Sequence, residues 1–491
     1  MRILFVSTGE YFQEPLGVML LSGVCKANGH QTKLVLLPSG PFEKKLKEFD
    51  PDVVAYSTMS SDEAYFIQAD NLVKIYARER GEKIHRIMGG AHPTYFNEVL
   101  EKMDLDAICI GDGEHALARF IKHVEHSDAP GEIPNIIFRG QTKEECRKEL
   151  VEDLDDLPMA DRDIIYETRP DLLPIGLKSF LASRGCPYNC SYCFNHAFNR
   201  MFQGSGKIMR KRSVDNIIEE VKYVKKNYPP LKIIRFADDI FVLKKDDWLE
   251  QFAVKFRREV NIPFYCLVRP NNFTEDVAKA LSEAGCISLG MAVESGNAEI
   301  RKSVLNRNLS DEVMCEAFAR ARKYKMGTYG GTILGLPGTN LGNDFESIYF
   351  SKKLKLTIPV FSIFSPYPKT DLTEYAIKMN CLDSSYNEIP SFGTKSILSN
   401  FTDEEKAIQK NLTLLGTLYC IIPWFSSNML RKLSKINLTG VYTFFYSIVT
   451  SYLFQRRLVP GSLSNNPVWM MKAFIIFFKY WADSRKKPTT P

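Results

Sequence analysis

Three cysteines, Cys186, Cys190 and Cys193, sit in Ser183-Arg-Gly-Cys-Pro-Tyr-Asn-Cys-Ser-Tyr-Cys193, a CxxxCxxC triplet just past an apolar stretch. Three soft thiolates on so short a loop can hold three irons of a cuboidal [4Fe–4S] core and leave the fourth iron open to a small molecule. Structural zinc is the competing use of such a triplet, but it needs a fourth ligand, and no second CxxC knuckle accompanies this one. His196 is the nearest side chain for that place. A disulfide is a weaker reading, because the other cysteines are scattered and Met1-Arg-Ile-Leu-Phe-Val-Ser reads as a buried strand, not a secretory segment.

Further reactive groups stand at the ends of apolar runs. Residues 232–236 end in Ala237-Asp238-Asp239, 263–268 end at Arg269, and 287–293 end in Glu294-Ser295-Gly296. A charged residue at the end of an apolar strand is rarely there for packing. Carboxylates suit an ammonium, which needs acceptors; the structural alternative is that Asp238 and Asp239 cap the following turn. Gly330-Gly-Thr-Ile-Leu-Gly335-Leu-Pro-Gly338 reads as a strand and then a turn. Residues 360–364 lead to Ser365-Pro-Tyr-Pro-Lys-Thr-Asp371.

Elements must carry these groups. Residues 179–183 are the expected strand that delivers the cysteine loop, and 213–225 a helix opened by a Ser213 cap with Ile217, Ile218 and Val221 inward. Strand–helix pairs repeated over about 200 residues predict a barrel of parallel strands with helices outside and ligands at the carboxyl ends. Ahead of it, residues 2–7, 32–37, 53–57, 86–88 and 107–110 are short apolar runs, and 17–28 is a helix closed by Gly29. This pattern predicts a parallel sheet wound with helices on both faces. Glu14-Pro-Leu16-Gly17, Ser57-Thr58, Gly89-Gly90-Ala-His-Pro-Thr94 and Gly111-Asp-Gly113-Glu114 fall mostly at its ligand-binding edge; plain turns are the alternative, and His92 before Pro93 is expected as a loop residue. Residues 135–138 resemble a hairpin edge, and the acidic stretch 151–158 leading to Asp161-Arg-Asp163 is expected as an exposed connector.

Past residue 375 the alternation stops. Residues 414–425, 440–454 and 468–481 are apolar and aromatic, each shorter than the ~20 residues that span a bilayer. Lys472 and Lys479 share one helix face. An interfacial helix, a lid over the barrel and ordinary core packing are the three readings. The net charge of +6, from 64 Lys and Arg against 58 Asp and Glu, forms no long basic stripe and argues against nucleic acid. Eleven cysteines fit a reducing, cytoplasmic setting.

The triplet and its context resemble the radical S-adenosylmethionine (SAM) enzymes, and residues 1–150 resemble the cobalamin-binding domain found ahead of many such cores. The resemblance implies an α/β chain: a Rossmann-like B12-binding domain at 1–150, a linker at 151–170, an incomplete (β/α)6 TIM-type barrel at 171–375 and a helical region at 376–491. It implies a [4Fe–4S] cluster on Cys186, Cys190 and Cys193, whose open iron chelates the amino and carboxylate groups of SAM. Tyr192 then helps to hold the adenine, Asp238 and Asp239 receive the methionine amine, and Arg269, Glu294 and Gly335 complete the SAM contacts. Leu16, Ser57, Thr58, Gly89, Gly90, Gly111, Gly113 and Glu114 are the implied cobalamin contacts. No DxHxxG follows the first strand, so cobalamin is expected with no histidine below the cobalt. Lys369 replaces the glycine of the family's PYPGT element.

The activity so implied is reductive cleavage of SAM to methionine and a 5′-deoxyadenosyl radical, then C-methylation of an unactivated carbon from methylcobalamin. A cyclase or rearrangement enzyme with the same cofactors is one alternative, and a non-catalytic carrier or sensor another. The expected partners are a small apolar substrate (lipid, polyprenoid or tetrapyrrole) and an electron donor such as flavodoxin or ferredoxin. A peripheral contact with the cytoplasmic face of a membrane, through the C-terminal region, is the remaining expectation.

Overall fold

The computed structural model describes residues 1–9, 14–38, 40–126, 132–386 and 395–462. The apolar run at 468–481, with Lys472 and Lys479, lies outside them. The first unit is a six-stranded sheet of β1 (Arg2–Thr8), β2 (Gln31–Leu37), β3 (Val53–Ser57), β4 (His85–Gly89), β5 (Ala107–Cys109) and β6 (Ile136–Phe138), ordered β2-β1-β3-β4-β5-β6. Alternate residues of β1 serve opposite faces. Ile3 and Phe5 pack with Val18, Met19 and Phe120, while Leu4 and Val6 pack with Phe42, Leu46 and Phe66. Burial on both faces is why the strand reads as an unbroken apolar run. All pairs are parallel except β5 with β6. The expected hairpin at 135–138 is therefore an antiparallel edge, reached from β5 through helix Glu114–His126. The strand order turns back at β1 and β3, which opens a crevice at their carboxyl ends.

The second sheet is ordered β14-β13-β12-β11-β10-β7, all parallel, from β7 (Leu177–Phe180), β10 (Ile233–Phe236), β11 (Phe264–Leu267), β12 (Cys286–Gly290), β13 (Gly327–Leu334) and β14 (Ile358–Ile363). Side chains from β7, β10, β12 and β14 all meet Leu458 and Val459, so the sheet curls around this plug as an open barrel. The plug is bonded in place: Ser288 Oγ donates to the Leu458 carbonyl at 2.7 Å. A Cβ on Gly327 would lie 2.6 Å from the Arg457 carbonyl oxygen, so glycine is required there. Outside the barrel, a continuous apolar core joins the strands to their helices, including Phe236, Phe252, Phe256 and Phe264. Helix Asp403–Ile421 packs beyond β14, where Thr417 Oγ1 donates to the Pro359 carbonyl at 2.9 Å.

Two expectations need correction. Residues 179–183 are not one strand: β7 ends at Phe180, and Ser183–Arg184 (β8) pairs with Arg210–Lys211 (β9) in a separate ribbon. The Ala182 amide and Ser183 hydroxyl are taken by Asp238, which turns the chain out of the sheet. The connector is not exposed at its end either. Arg162 is fully buried, donates to Glu14 at 2.7 Å and to the Ser179 carbonyl at 2.7 Å, and stacks on Phe180. Tyr166 and the Ser179 amide complete the shell around Glu14. The charges at this point form a buried joint between the two sheets.

Lys369 keeps the backbone that glycine would favour, with φ of 69°. That conformation costs a non-glycine residue roughly 1–2 kcal/mol. Its ammonium donates to the Tyr95 carbonyl at 2.6 Å and lies over the Phe96 ring, so the substitution ties the barrel mouth to the first unit.

Candidate functional site

The cysteine loop is held from several sides. Gly185 has φ of 89°, and a Cβ there would lie 2.2 Å from the Ile208 carbonyl oxygen. Ser191 donates to the Val304 carbonyl, Asn306 to that of Asn189, and Asn199 to that of Cys186. Helix Phe194–Met201 begins immediately after Cys193. Burial raises the thiols of Cys186 and Cys193, the latter to about 12, and Asp239 and neighbouring sulfurs of the triplet raise them further. The three thiols therefore lie within electrostatic reach of one another. Arg269 Nη1 donates to Cys190 Sγ at 3.2 Å while its guanidinium stacks on Tyr188 at 3.9 Å. All eleven cysteines are free of disulfides. His196 Nδ1 lies 2.9 Å from Asp371, an engagement that occupies the side chain considered as a zinc ligand. Among the described residues no three His, Cys, Asp or Glu side chains converge on a single ion. Three soft thiols on one stapled loop, with two nearby arginines to balance charge, fit an iron–sulfur core.

Around this loop the strand-end residues divide into two groups. Tyr192 donates to Glu294 at 2.8 Å, and Arg307 approaches the same hydroxyl at 3.4 Å. Burial raises the Glu294 carboxyl, while Arg307, Tyr192 and Arg269 pull it down. Glu294 sits at φ of 65°, and its backbone bridges to Thr332 of β13 while its carboxylate meets Tyr192. Gly335, with φ of 67°, gives its amide to Asp344 at 2.8 Å, and Gln409 donates to the same carboxylate at 2.8 Å. Asp239 is exposed and faces Cys186 and Cys193 electrostatically. Asp238 does not share that position. It is buried and accepts from Ala182 N at 3.1 Å and Ser183 Oγ at 2.6 Å. Burial pushes its carboxyl up to about 6, against those hydrogen bonds.

Asp238 thus anchors the root of the cysteine loop, and a test follows. Asp238→Asn should lower the iron bound per chain after reconstitution, because the amide is uncharged and turns an NH2 donor toward the Ala182 amide, where Asp238 now presents a second acceptor oxygen at 3.3 Å. Iron and sulfide assays check this. Unchanged iron with weakened SAM binding would instead make Asp238 a direct SAM ligand.

The first unit holds two adjoining cavities, of about 280 and 240 Å³, at the carboxyl ends of β1, β3 and β4. Gly17, Ser57 and Gly90 line both. The eight residues singled out in the sequence all line one or the other. Thr58 Oγ1 is buried without a hydrogen-bond partner, an orphan polar atom at the wall of the second cavity. Leaving such a group unpaired costs roughly 1–3 kcal/mol, which a ligand atom can recover. Gly90, with φ of 99°, crosses within 3 Å of the Thr58 backbone measured from where its Cβ would be, so the wall is drawn in tightly. These features fit a corrinoid. His92 is buried instead in a short helix, stacked on Phe96 and held by Ser60 and Glu63.

Glu114 has a second role that the sequence did not disclose. It is buried and paired with Arg184, whose Nη1 lies 3.1 Å from Glu114 and 3.2 Å from Asp112. Arg210 also donates to Asp112. Arg184 stands two residues before Cys186, and with Leu181 it lines the larger cavity. The root of the cysteine loop is therefore part of the wall of the first unit's cavity. Arg184, Asp112, Arg162 and Arg307 carried no sequence signal, because each depends on a partner far away in the chain.

Known proteins match this arrangement. The radical SAM superfamily model matches residues 180–349, and the B12-binding domain model matches residues 2–121. An uncharacterized methyltransferase of Pyrococcus horikoshii is 28% identical over 404 residues, covering 80% of this chain and 84% of the relative. The bacteriochlorophyllide d C-12(1)-methyltransferase of Chlorobaculum tepidum is 22% identical, covering 74% and 76%. Among solved structures, the cobalamin-dependent SAM radical enzyme OxsB, with aqua-cobalamin and SAM bound, superposes with a TM-score of 0.68 at 14% identity, covering 99% of this chain and 80% of that one. The two family models fall on the two parallel sheets described above, and the chain belongs to the radical SAM superfamily, with a B12-binding domain ahead of its radical SAM core.

Proposed function

We propose that the chain is a cobalamin-dependent radical SAM C-methyltransferase acting on an unactivated carbon of a small apolar molecule. One observation carries the reading: Leu181 and Arg184, at the root of the cysteine loop, line the cavity of the B12-binding domain. A corrinoid in that cavity and a cluster on the loop would be neighbours. When bound, the cluster, SAM and the corrinoid supply the electron, the radical and the methyl group.

The chain's own residues bind and orient. Cys186, Cys190 and Cys193 hold the cluster. Asp239 accepts the methionine amine, while Tyr192, Arg269, Glu294 and the Gly335 turn fix the rest of SAM. Arg269 and Arg307, close to Cys190, oppose negative charge on the sulfurs. Leu16, Ser57, Thr58, Gly89, Gly90, Gly111 and Gly113 cradle the corrinoid, and Glu114 braces the wall through Arg184.

The barrel interior supports an apolar substrate. Its floor is Ile233, Ile358, Leu458 and Val459. Two residues above Gly327, Tyr329 faces inward and is 39% exposed, so the space above the floor is open. Arg235, two residues above Ile233 and opposite Tyr265 on the neighbouring strand, is the cation that acts on both Tyr265 and Tyr329. Such a lining suits an apolar body with one anionic group.

Anaerobic turnover with SAM, a strong reductant and candidate substrates should yield methylated product, 5′-deoxyadenosine and S-adenosylhomocysteine together. Mass spectrometry of all three is the measurement. 5′-Deoxyadenosine without S-adenosylhomocysteine or added methyl would replace methyl transfer with an oxidative cyclisation or rearrangement.

A further inference from the structure

Helix Thr439–Leu453 has two apolar faces, and the described residues cover only one. Tyr442 and Val449 pack on helix Asp403–Ile421, and Leu453 reaches the barrel floor. On the other side Val441, Phe444, Phe445, Ile448 and Tyr452, spaced i, i+3, i+4, i+7 and i+11, form one stripe, each between 47% and 61% exposed. A contiguous exposed stripe of this size marks an interaction site. Its surroundings are cationic. No Asp or Glu occurs from Lys406 through Ser462. Lys432 and Lys435 precede the helix, Arg456 and Arg457 follow it, and all four are exposed and in no ion pair with a described residue.

We propose that this face rests on an anionic lipid bilayer, with the helix lying in the interface and the four cations at its two ends meeting lipid phosphates. Apolar burial and attraction to anionic headgroups act together in such helices. The helix has 15 residues, and no described helix is long and apolar enough to cross a membrane, so the contact lies on the surface. A second copy of the chain is a poorer occupant. Packed antiparallel on itself, the face would set Lys435 against Arg456 and Arg457 at both ends, and like charges so placed repel. The inward side of the same helix carries Tyr446, whose hydroxyl burial and nearby Tyr329 push up to about 12. One helix thus contacts both the bilayer and the barrel interior. The lipid contact stands apart from the reading of the reaction, since its test reads binding and not turnover.

The test is flotation of the full-length reconstituted chain with vesicles of phosphatidylcholine alone or mixed with phosphatidylglycerol, at low and high salt. The chain should float with the mixed vesicles, less so at high salt, and remain behind with phosphatidylcholine alone. The variant Phe444→Glu/Phe445→Glu should lose flotation by about tenfold or more. Both positions are exposed, so its melting temperature and iron content should match the parent. Three results would overturn the proposal: no flotation with mixed vesicles, flotation undiminished in the double variant, or equal flotation with phosphatidylcholine. A lipid-free dimer that the same variant abolishes would assign the face to a second copy instead.

Discussion

Cys186→Ala, Cys190→Ala and Cys193→Ala should each abolish formation of 5′-deoxyadenosine from SAM under strong reduction. Each removes one of the three proposed iron ligands, and the loop offers no fourth cysteine while His196 is engaged by Asp371. The control is Cys25→Ala. Cys25 is buried in the first unit's core, with its thiol pushed up to about 12 by burial, so it behaves as a small apolar side chain. Losing it should cost about 1 kcal/mol of stability, on the scale of one buried methylene, and leave SAM cleavage intact below the melting transition. Liquid chromatography of 5′-deoxyadenosine, beside iron content, reads both. Turnover surviving in a triplet variant would show that the cluster is held elsewhere.

Arg184→Met should damage both halves of the protein at once. Arg184 is buried between Asp112 and Glu114, and the neutral side chain would leave two buried carboxylates with Arg210 as their one nearby cation. Breaking a buried pair in this way costs about 3–5 kcal/mol. Burial tends to raise the Asp112 carboxyl, but Arg184 and Arg210 outweigh it and hold it below the usual range. A depressed native value contributes stability that is present above the unfolded pKa and is lost as pH falls through the native one. The variant forfeits that contribution. Its deficit against the parent should therefore hold steady from neutrality down to the ordinary Asp value of 3.8 and shrink as pH falls below it. Thermal melts across that range check the sign. A deficit independent of pH would mean that Arg184 acts through packing and not charge. Because Arg184 also lines the cavity, the visible spectrum after desalting should show less retained corrinoid. Glu114→Gln in the same background should restore part of the stability, since it removes one stranded charge.

The architecture was legible where local signals agree with the global fold. The five apolar runs of the first unit are strands because both sheet faces are covered, which leaves no alternation to misread. Ser213 caps its helix by accepting from Asn216, as its position before an apolar-periodic stretch suggests. The cysteine triplet stands out because its residues are adjacent in sequence, and the eight positions that the resemblance implied as corrinoid contacts come together along two adjoining cavities.

What the sequence hid are interactions between residues far apart in the chain. Asp238 has the look of a ligand at a strand end, yet its carboxylate is spent on Ala182 and Ser183. Arg162 sits in an acidic, proline-punctuated stretch that reads as exposed, yet it is sealed between Glu14 and Phe180. Lys369 breaks a motif, and in doing so makes a contact with Tyr95, which is 274 residues away in sequence. The residues by themselves determined a triplet of cysteines on one short loop, two parallel sheets and a helical end. Only the tertiary structure decided that the cysteine loop roots in the wall of the first unit's cavity, and that the described residues leave one helix face uncovered. A thiol triplet carries its meaning in its own spacing. The partner of a buried charge, or the fate of an apolar face, depends on what folding brings beside it.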